Sequence, residues 1–261
     1  MLLAFLPALL ASLASSVLPV SNLTNLVVAR RLDLATTDFL THAAPVALAA
    51  TIVGWLVWSR LAGPAPAVRP GHEPVVPGAL AIGVPVVVWL LLGFTVGDQL
   101  GVPAWVVAGL ALAALVVLTR RLPWEHVPVG AAALALSLGT LALGAAPALG
   151  LDHVLGVPGA GGEALTFGVA ALGANLVNNL PALLVALPAL DLHPGRVWAV
   201  LLGVNIGPTL WVTGALSTLL WQATMDRLDL PVSKRRYAAV GVRVGLPAVA
   251  LVVHLALVAV G

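Results

Sequence analysis

The sequence predicts an all-α integral membrane protein: a polytopic helix bundle with a re-entrant hairpin, broken helices and a partial inverted repeat. Three observations predict it. Only 8% of residues are charged and 61% are hydrophobic, whereas a soluble domain carries roughly 25% charge to solvate its surface; mean hydropathy is +1.08. Several apolar stretches approach the roughly 20 residues that cross a hydrocarbon core. Three more are long and apolar but are interrupted by clusters of Asn, Ser, Thr, Gly and Pro.

The uninterrupted stretches predict spans over Phe39–Ser59, Ala79–Val96, Val102–Thr119, Val127–Ala146 and Ala238–Val260. Between them lie a Pro- and Arg-containing loop (Arg60–Pro77), a tight turn (Gly97–Gly101) and a Gly-rich loop (Leu151–Gly162). Trp55, Trp58, Trp105, Trp124 and Trp221 fall near predicted helix ends, where interfacial aromatics sit. Met1–Leu18 is apolar but lacks the basic start of a signal peptide, so it is expected to stay in the protein. The net charge of +2 is too small for a nucleic-acid partner, and the absence of cysteine excludes disulfides and thiol chemistry.

The interrupted stretches are Leu2–Ala29, Ala164–Leu190 and Val197–Trp221. The middle one is too short for two full crossings and predicts a hairpin that enters and returns on one side. With the other two taken as single crossings, Arg60, Arg69, Arg120, Arg121, Arg227 and Lys234–Arg236 fall on one side. Arg30, Arg31 and Arg196 fall on the other, and Arg243 lies within a helix. The basic excess marks the first side as cytoplasmic.

Backbone amides cannot go unpaired in lipid, so irregular backbone at membrane depth is tolerated only where it lines a cavity or is buried in protein. The breaks are therefore the candidate site. The first, Ser21-Asn22-Leu23-Thr24-Asn25, follows Pro19 and carries four polar side chains. In the second, Asn175, Asn178 and Asn179 precede Pro181, which removes a donor and bends the chain. The third joins Asn205, Gly207, Pro208 and Thr209 to Thr213, Gly214, Ser217 and Thr218. Amide and hydroxyl groups of this kind also stitch helices together. At broken helices they can bind a polar solute or an ion as well.

The first and third breaks share a layout: an interrupted apolar stretch, a basic cluster, then a full span. By the charge topology they point in opposite directions, which is an inverted repeat with its solute near the midplane. This predicts residues 1–59 as the second half of a first repeat, 60–78 as a cytoplasmic loop, 79–150 as scaffold spans and 151–261 as a second repeat with hairpin, broken helix and final span. Only 20 residues precede Ser21, too few for a matching hairpin, so the first repeat is expected to lack its front half.

Val20-Ser21-Asn22-Leu23-Thr24-Asn25-Leu26 resembles the Ser-Asn-x-x-Asn signature of ArsB-type arsenite/antimonite permeases. Asn178-Asn179-Leu180-Pro181 resembles their second-half hairpin. Asn205-Ile206-Gly207-Pro208 through Gly214-Ala215-Leu216-Ser217-Thr218-Leu219-Leu220-Trp221 resembles their Gly-Pro…Gly-Ser-Leu-Ala-Thr-Leu-Leu-Trp segment. The resemblance runs to the C-terminal span and implies a multi-pass bacterial plasma-membrane transporter of the ion transporter superfamily, with an elevator-like moving domain. It implies a solute and ion site at Ser21, Asn22, Thr24, Asn25, Asn178, Asn179, Gly207, Thr213 and Ser217. It implies a neutral metalloid hydroxide or a small anion as solute, H+ or Na+ as coupling cation, the lipid bilayer as partner, and allows a homodimer. No cofactor is expected. Two departures stand out: the family often has Asp where this chain has Asn205, and its first-half Asn-Asn-Asp hairpin would lie upstream of Met1.

Among ionisable residues, Asp38, Asp98 and Glu163 sit near predicted span ends, and no Asp or Glu lies mid-span. The expected activity is arsenite or antimonite efflux. The alternatives are a Na+/H+ antiporter or dicarboxylate/citrate carrier of the same superfamily, and a non-transporting membrane fragment. An intramembrane enzyme is not expected, because the sequence has no cysteine nucleophile, no His-Glu-x-x-His motif and no mid-span Asp pair.

Overall fold

A computed structural model describes residues 2–62, 77–122, 124, 127, 129–190, 193–230 and 232–258. The predicted loop at 60–78 falls largely outside these residues, as does the end of the last predicted span at Val260. Among the described residues the regular structure is helical. In chain order the α-helices are α1 (Leu6–Leu13), α2 (Leu23–Leu32), α3 (Thr36–Asp38), α4 (Ala44–Ala62), α5 (Pro77–Gln99), α6 (Ala104–Thr119) and α7 (Val129–Ala145). They continue with α8 (Asp152–Leu155), α9 (Gly159–Val177), α10 (Asn179–Ala186), α11 (Pro194–Ile206), α12 (Leu216–Arg227) and α13 (Lys234–Val258). A π turn over Phe39–Ala43 joins α3 to α4, giving one 27-residue span from Thr36 to Ala62.

Among the described residues, five helices are long and apolar enough to cross a membrane: Thr36–Ala62, Leu80–Gly97, Ala132–Leu149, Gly159–Val177 and Lys234–Leu255. This is a polytopic, multi-pass membrane protein. Two predicted elements change length. The span expected over Val102–Thr119 is a 16-residue helix, because Gly101 turns at φ +70° and Pro103 sets the start of α6. The hairpin is unequal: α9 has 19 residues and can cross alone, whereas α10 and the 3-10 turn Leu187–Ala189 after it are too short.

The chain divides into two compact units, Met1–Gly63 with Val129–Gly261, and Pro64–Pro128. The smaller unit is a helical hairpin of α5 and α6, in which Trp89 Nε1 donates to the Val107 carbonyl at 3.2 Å. Its outward faces carry exposed Leu91, Leu92, Leu110 and Val117, a surface suited to lipid.

The larger unit is built around two copies of one backbone motif. In the first, α1 ends at Leu13; Leu18 is extended (φ −133°, ψ 155°), Pro19–Ser21 form a 3-10 turn, Asn22 is extended (−149°, 150°), and α2 begins. In the second, α11 ends at Ile206; Trp211 is extended (−131°, 147°), Val212–Gly214 form a 3-10 turn, Ala215 is extended (−140°, 149°), and α12 begins. Every step matches at a constant offset of 193 residues. The copies pack reciprocally, α1 against α12 and α11 against α2, as a local two-fold requires. Each copy also carries a packed aromatic at this offset, Phe5 and Trp198, though their ring partners are not equivalent positions. Phe5 meets Trp221 and Tyr237 edge-on at 5.9 and 5.7 Å. Its counterpart Trp198 meets Phe39 edge-on at 5.1 Å and stacks on His42 at 5.3 Å. The hairpin α9–α10 lies against α11, and Gly203 and Gly207 make that close approach feasible: a Cβ on Gly207 would stand 2.5 Å from Ala171 Cβ.

Candidate functional site

The first break starts earlier than the polar cluster suggests. Ser15 Oγ donates to the Ser12 carbonyl at 2.8 Å, and α1 stops at Leu13. A serine that bonds its own backbone competes with the helical ladder, and Pro19 prevents the helix from resuming. The ends freed by the break are tied off by side chains. Ser21 Oγ lies 2.6 Å from both the Ser15 and Leu18 carbonyls and accepts from the Leu18 amide at 3.1 Å. Asn25, fully buried, donates from Nδ2 to the same two carbonyls, each at 2.8 Å. Asn22 caps α2, its Oδ1 accepting from the Thr24 amide at 3.4 Å.

The end of α11 joins this break. Asn205 is 1% exposed. Its Oδ1 accepts from Thr24 Oγ1 at 2.6 Å and from Asn22 Nδ2 at 2.9 Å, and its Nδ2 donates to Asn25 Oδ1 at 2.6 Å. Three side chains of the first break and one of the third thus form a single neutral network.

The hairpin tip joins the other break. Asn178 sits at φ 87°, ψ 152°, a region almost reserved for glycine, and this reverses the chain between α9 and α10. Its Nδ2 donates to the Thr213 carbonyl at 3.0 Å and its Oδ1 accepts from the Leu180 amide at 3.4 Å. Asn179 Oδ1 accepts from the same amide at 3.0 Å. One turn before the tip, Asn175 Nδ2 donates to the Ala171 and Gly207 carbonyls, each at 2.8 Å.

Between these parts lies a cavity of about 290 Å³. Ser15, Ser21, Asn22, Asn178, Asn179 and Ser217 supply its polar wall, and the apolar wall comes from α1, α2, α7, α10 and α12. Among the described residues, none that lines it is ionisable. Of the residues expected from the sequence, Ser21, Asn22, Asn178, Asn179 and Ser217 therefore face one space. Thr24, Asn25 and Asn205 stand behind it as the buried network. Asn175 braces α9 against the third break. Gly207 packs on Ala171, and Thr213 contributes its carbonyl while its side chain is exposed; neither lines the cavity. Ser15 was missed by the sequence reading. Its only local sign is the Ser15-Ser16 pair ahead of Leu18-Pro19.

The chain is similar to proteins named arsenical pump membrane protein. It is 28% identical to those of Escherichia coli (strain K12) and Shigella flexneri over 273 aligned positions, covering 91% of this chain and 62% of each relative. It is 28% identical to that of Yersinia enterocolitica over 275 positions, with the same coverage. The chain thus spans about 62% of the length of the curated relatives it matches. No family model matches, and no solved structure matches. Over most of its length the chain is therefore similar to bacterial arsenical pump membrane proteins, and its apolar helices are those of a multi-pass membrane protein.

Proposed function

We propose that the protein is a secondary transporter that exports arsenite and antimonite as their neutral hydroxides. The observation that carries this reading is the cavity wall: six amide- or hydroxyl-bearing residues and no charge. A trihydroxide presents both donors and acceptors, which amides and hydroxyls match without a counter-ion. A di- or tricarboxylate would need cationic partners in a water-poor site, since a buried charge is tolerated only when paired; the cavity offers none. The names of the relatives support the same solute class.

Expression in an arsenite-sensitive bacterial host tests the proposal. Raised tolerance with lowered intracellular arsenic is expected, and Asn179→Ala and Ser217→Ala should each reduce the effect while the protein still reaches the membrane. Unchanged tolerance and arsenic content with the protein verified in the membrane would remove the metalloid reading. Sodium- or citrate-dependent flux in vesicles would replace it with one of the superfamily alternatives.

A further inference from the structure

The amide network fixes its own donor directions. Asn25 Nδ2 faces two carbonyl oxygens, Ser15 and Leu18, so that end must be the donor and Asn25 Oδ1 must face Asn205. Asn205 must then present a donor to Asn25, and its oxygen must take the Thr24 hydroxyl and the Asn22 amide. Position 205 therefore requires one acceptor and one donor on the same planar group. An amide meets that requirement at every pH. A carboxyl group of the same shape meets it only while protonated, because a carboxylate would set acceptor against acceptor at Asn25.

The fold itself does not demand this link. At the constant offset between the two copies, Ser12 occupies the place of Asn205, and Ala215, Ser217 and Thr218 occupy those of Asn22, Thr24 and Asn25. Ser12 is 1% exposed, and its hydroxyl makes no hydrogen bond. The α1–α12 junction thus has no counterpart of the amide network; what ties it is a single bond from Trp221 Nε1 to the Ala4 carbonyl at 2.9 Å, in the turn that leads into α1.

We infer that Asn205 is a positioning residue, a neutral latch that joins the two broken helices independently of pH. The partners of Asn205 include no ionisable group. On the elements packed against α11, the ionisable residues are Glu163 on α9, Arg30 and Arg31 on α2, Asp38, His42 and Arg60 in the α4 span, and Lys234–Tyr237, Arg243 and His254 on α13, with Arg196 on α11 itself.

The test compares purified wild-type protein with Asn205→Asp by thermal melting in detergent across about pH 4 to 8, the window above the ordinary carboxyl range. The quantity read is the difference between the two proteins, which cancels the titration of shared groups. A difference near zero at the acid end, widening to roughly 4–10 °C at the alkaline end, is expected for a buried group that loses its partners. A difference independent of pH, or one that narrows as pH rises, overturns the inference. If the variant does not accumulate, Asn25→Asp is measured instead. Its acid faces the Ser15 and Leu18 carbonyls, so its melting deficit must also widen with pH, and a flat deficit overturns the network as drawn. Neither readout depends on which solute is carried, so failure here is separate from failure of the metalloid proposal.

Discussion

Asn178 carries two tasks that pull in different directions. Its backbone sits where side chains are strained by about 1–3 kcal/mol, and its side chain ties the hairpin tip to the Thr213 carbonyl. Asn178→Gly relieves the strain but loses a hydrogen bond of about 1 kcal/mol, so its melting temperature should stay close to wild type. Asn178→Ala loses the bond and keeps the strain, and should melt lower than Asn178→Gly by several degrees. Equal melting of the two would mean that the backbone geometry at the tip costs nothing. If Asn178 also touches solute, both variants should reduce arsenite export, and the stable glycine variant separates binding from folding. The sequence made the need for polar groups at this turn readable, since three amides precede Pro181. It could not reveal that Asn178 and Asn179 face the cavity while Asn175 braces α9, because that depends on which way each helix face turns.

At the scale of elements, α9 and α11 pack closely along their length, and small residues permit it. Without a hydrophobic drive between helices in lipid, such contacts depend on close van der Waals approach. A Cβ at Gly203 would stand 2.5 Å from the Phe167 carbonyl and 2.8 Å from Ala170 Cβ, and one at Gly207 would stand 2.5 Å from Ala171 Cβ. Gly207→Ala should therefore push α11 from α9 and cost about 1–3 kcal/mol. The melting temperature reads the loss; because the Gly203 carbonyl and Ala171 Cα also stand within 2.4–2.6 Å of that Cβ, adding Ala171→Gly should not restore it, and full recovery would place the clash on the Ala171 side chain alone. The family resemblance implied a place for Gly207 in the site. In the structure it packs on Ala171, with its carbonyl held by Asn175. The breaks themselves were readable because apolar runs with embedded Asn, Ser and Pro have few other uses in a bilayer. The true end of α1 at Leu13 was not, because a lone serine pair in an apolar helix is ordinary until its hydroxyl is seen on the Ser12 carbonyl.

At the scale of the whole larger unit, the two copies share a backbone and differ in chemistry, and that difference predicts unequal responses at equivalent positions. Ser12 and Asn205 each sit one residue before the end of the helix that leads into a break, and both are buried. Removing the Ser12 hydroxyl breaks no hydrogen bond and exchanges a buried polar atom for an apolar one, so Ser12→Ala should leave stability unchanged or raise it by up to about 1 kcal/mol. Asn205→Ala strands Asn25 Oδ1 and the Thr24 hydroxyl inside the protein, where each unsatisfied group costs about 1–3 kcal/mol. The double variant should show the sum of the two effects, since the residues share no hydrogen-bond partner. Melting of the four proteins under one condition checks this. Equal losses at Ser12 and Asn205 would mean that the two junctions are energetically alike, and the one-sided latch would have no basis. A loss confined to Asn205 would show that the amide network, and not the shared backbone, holds the α2–α11 side, while the α1–α12 side rests on the Trp221–Ala4 hydrogen bond and the Phe5–Trp221 ring contact.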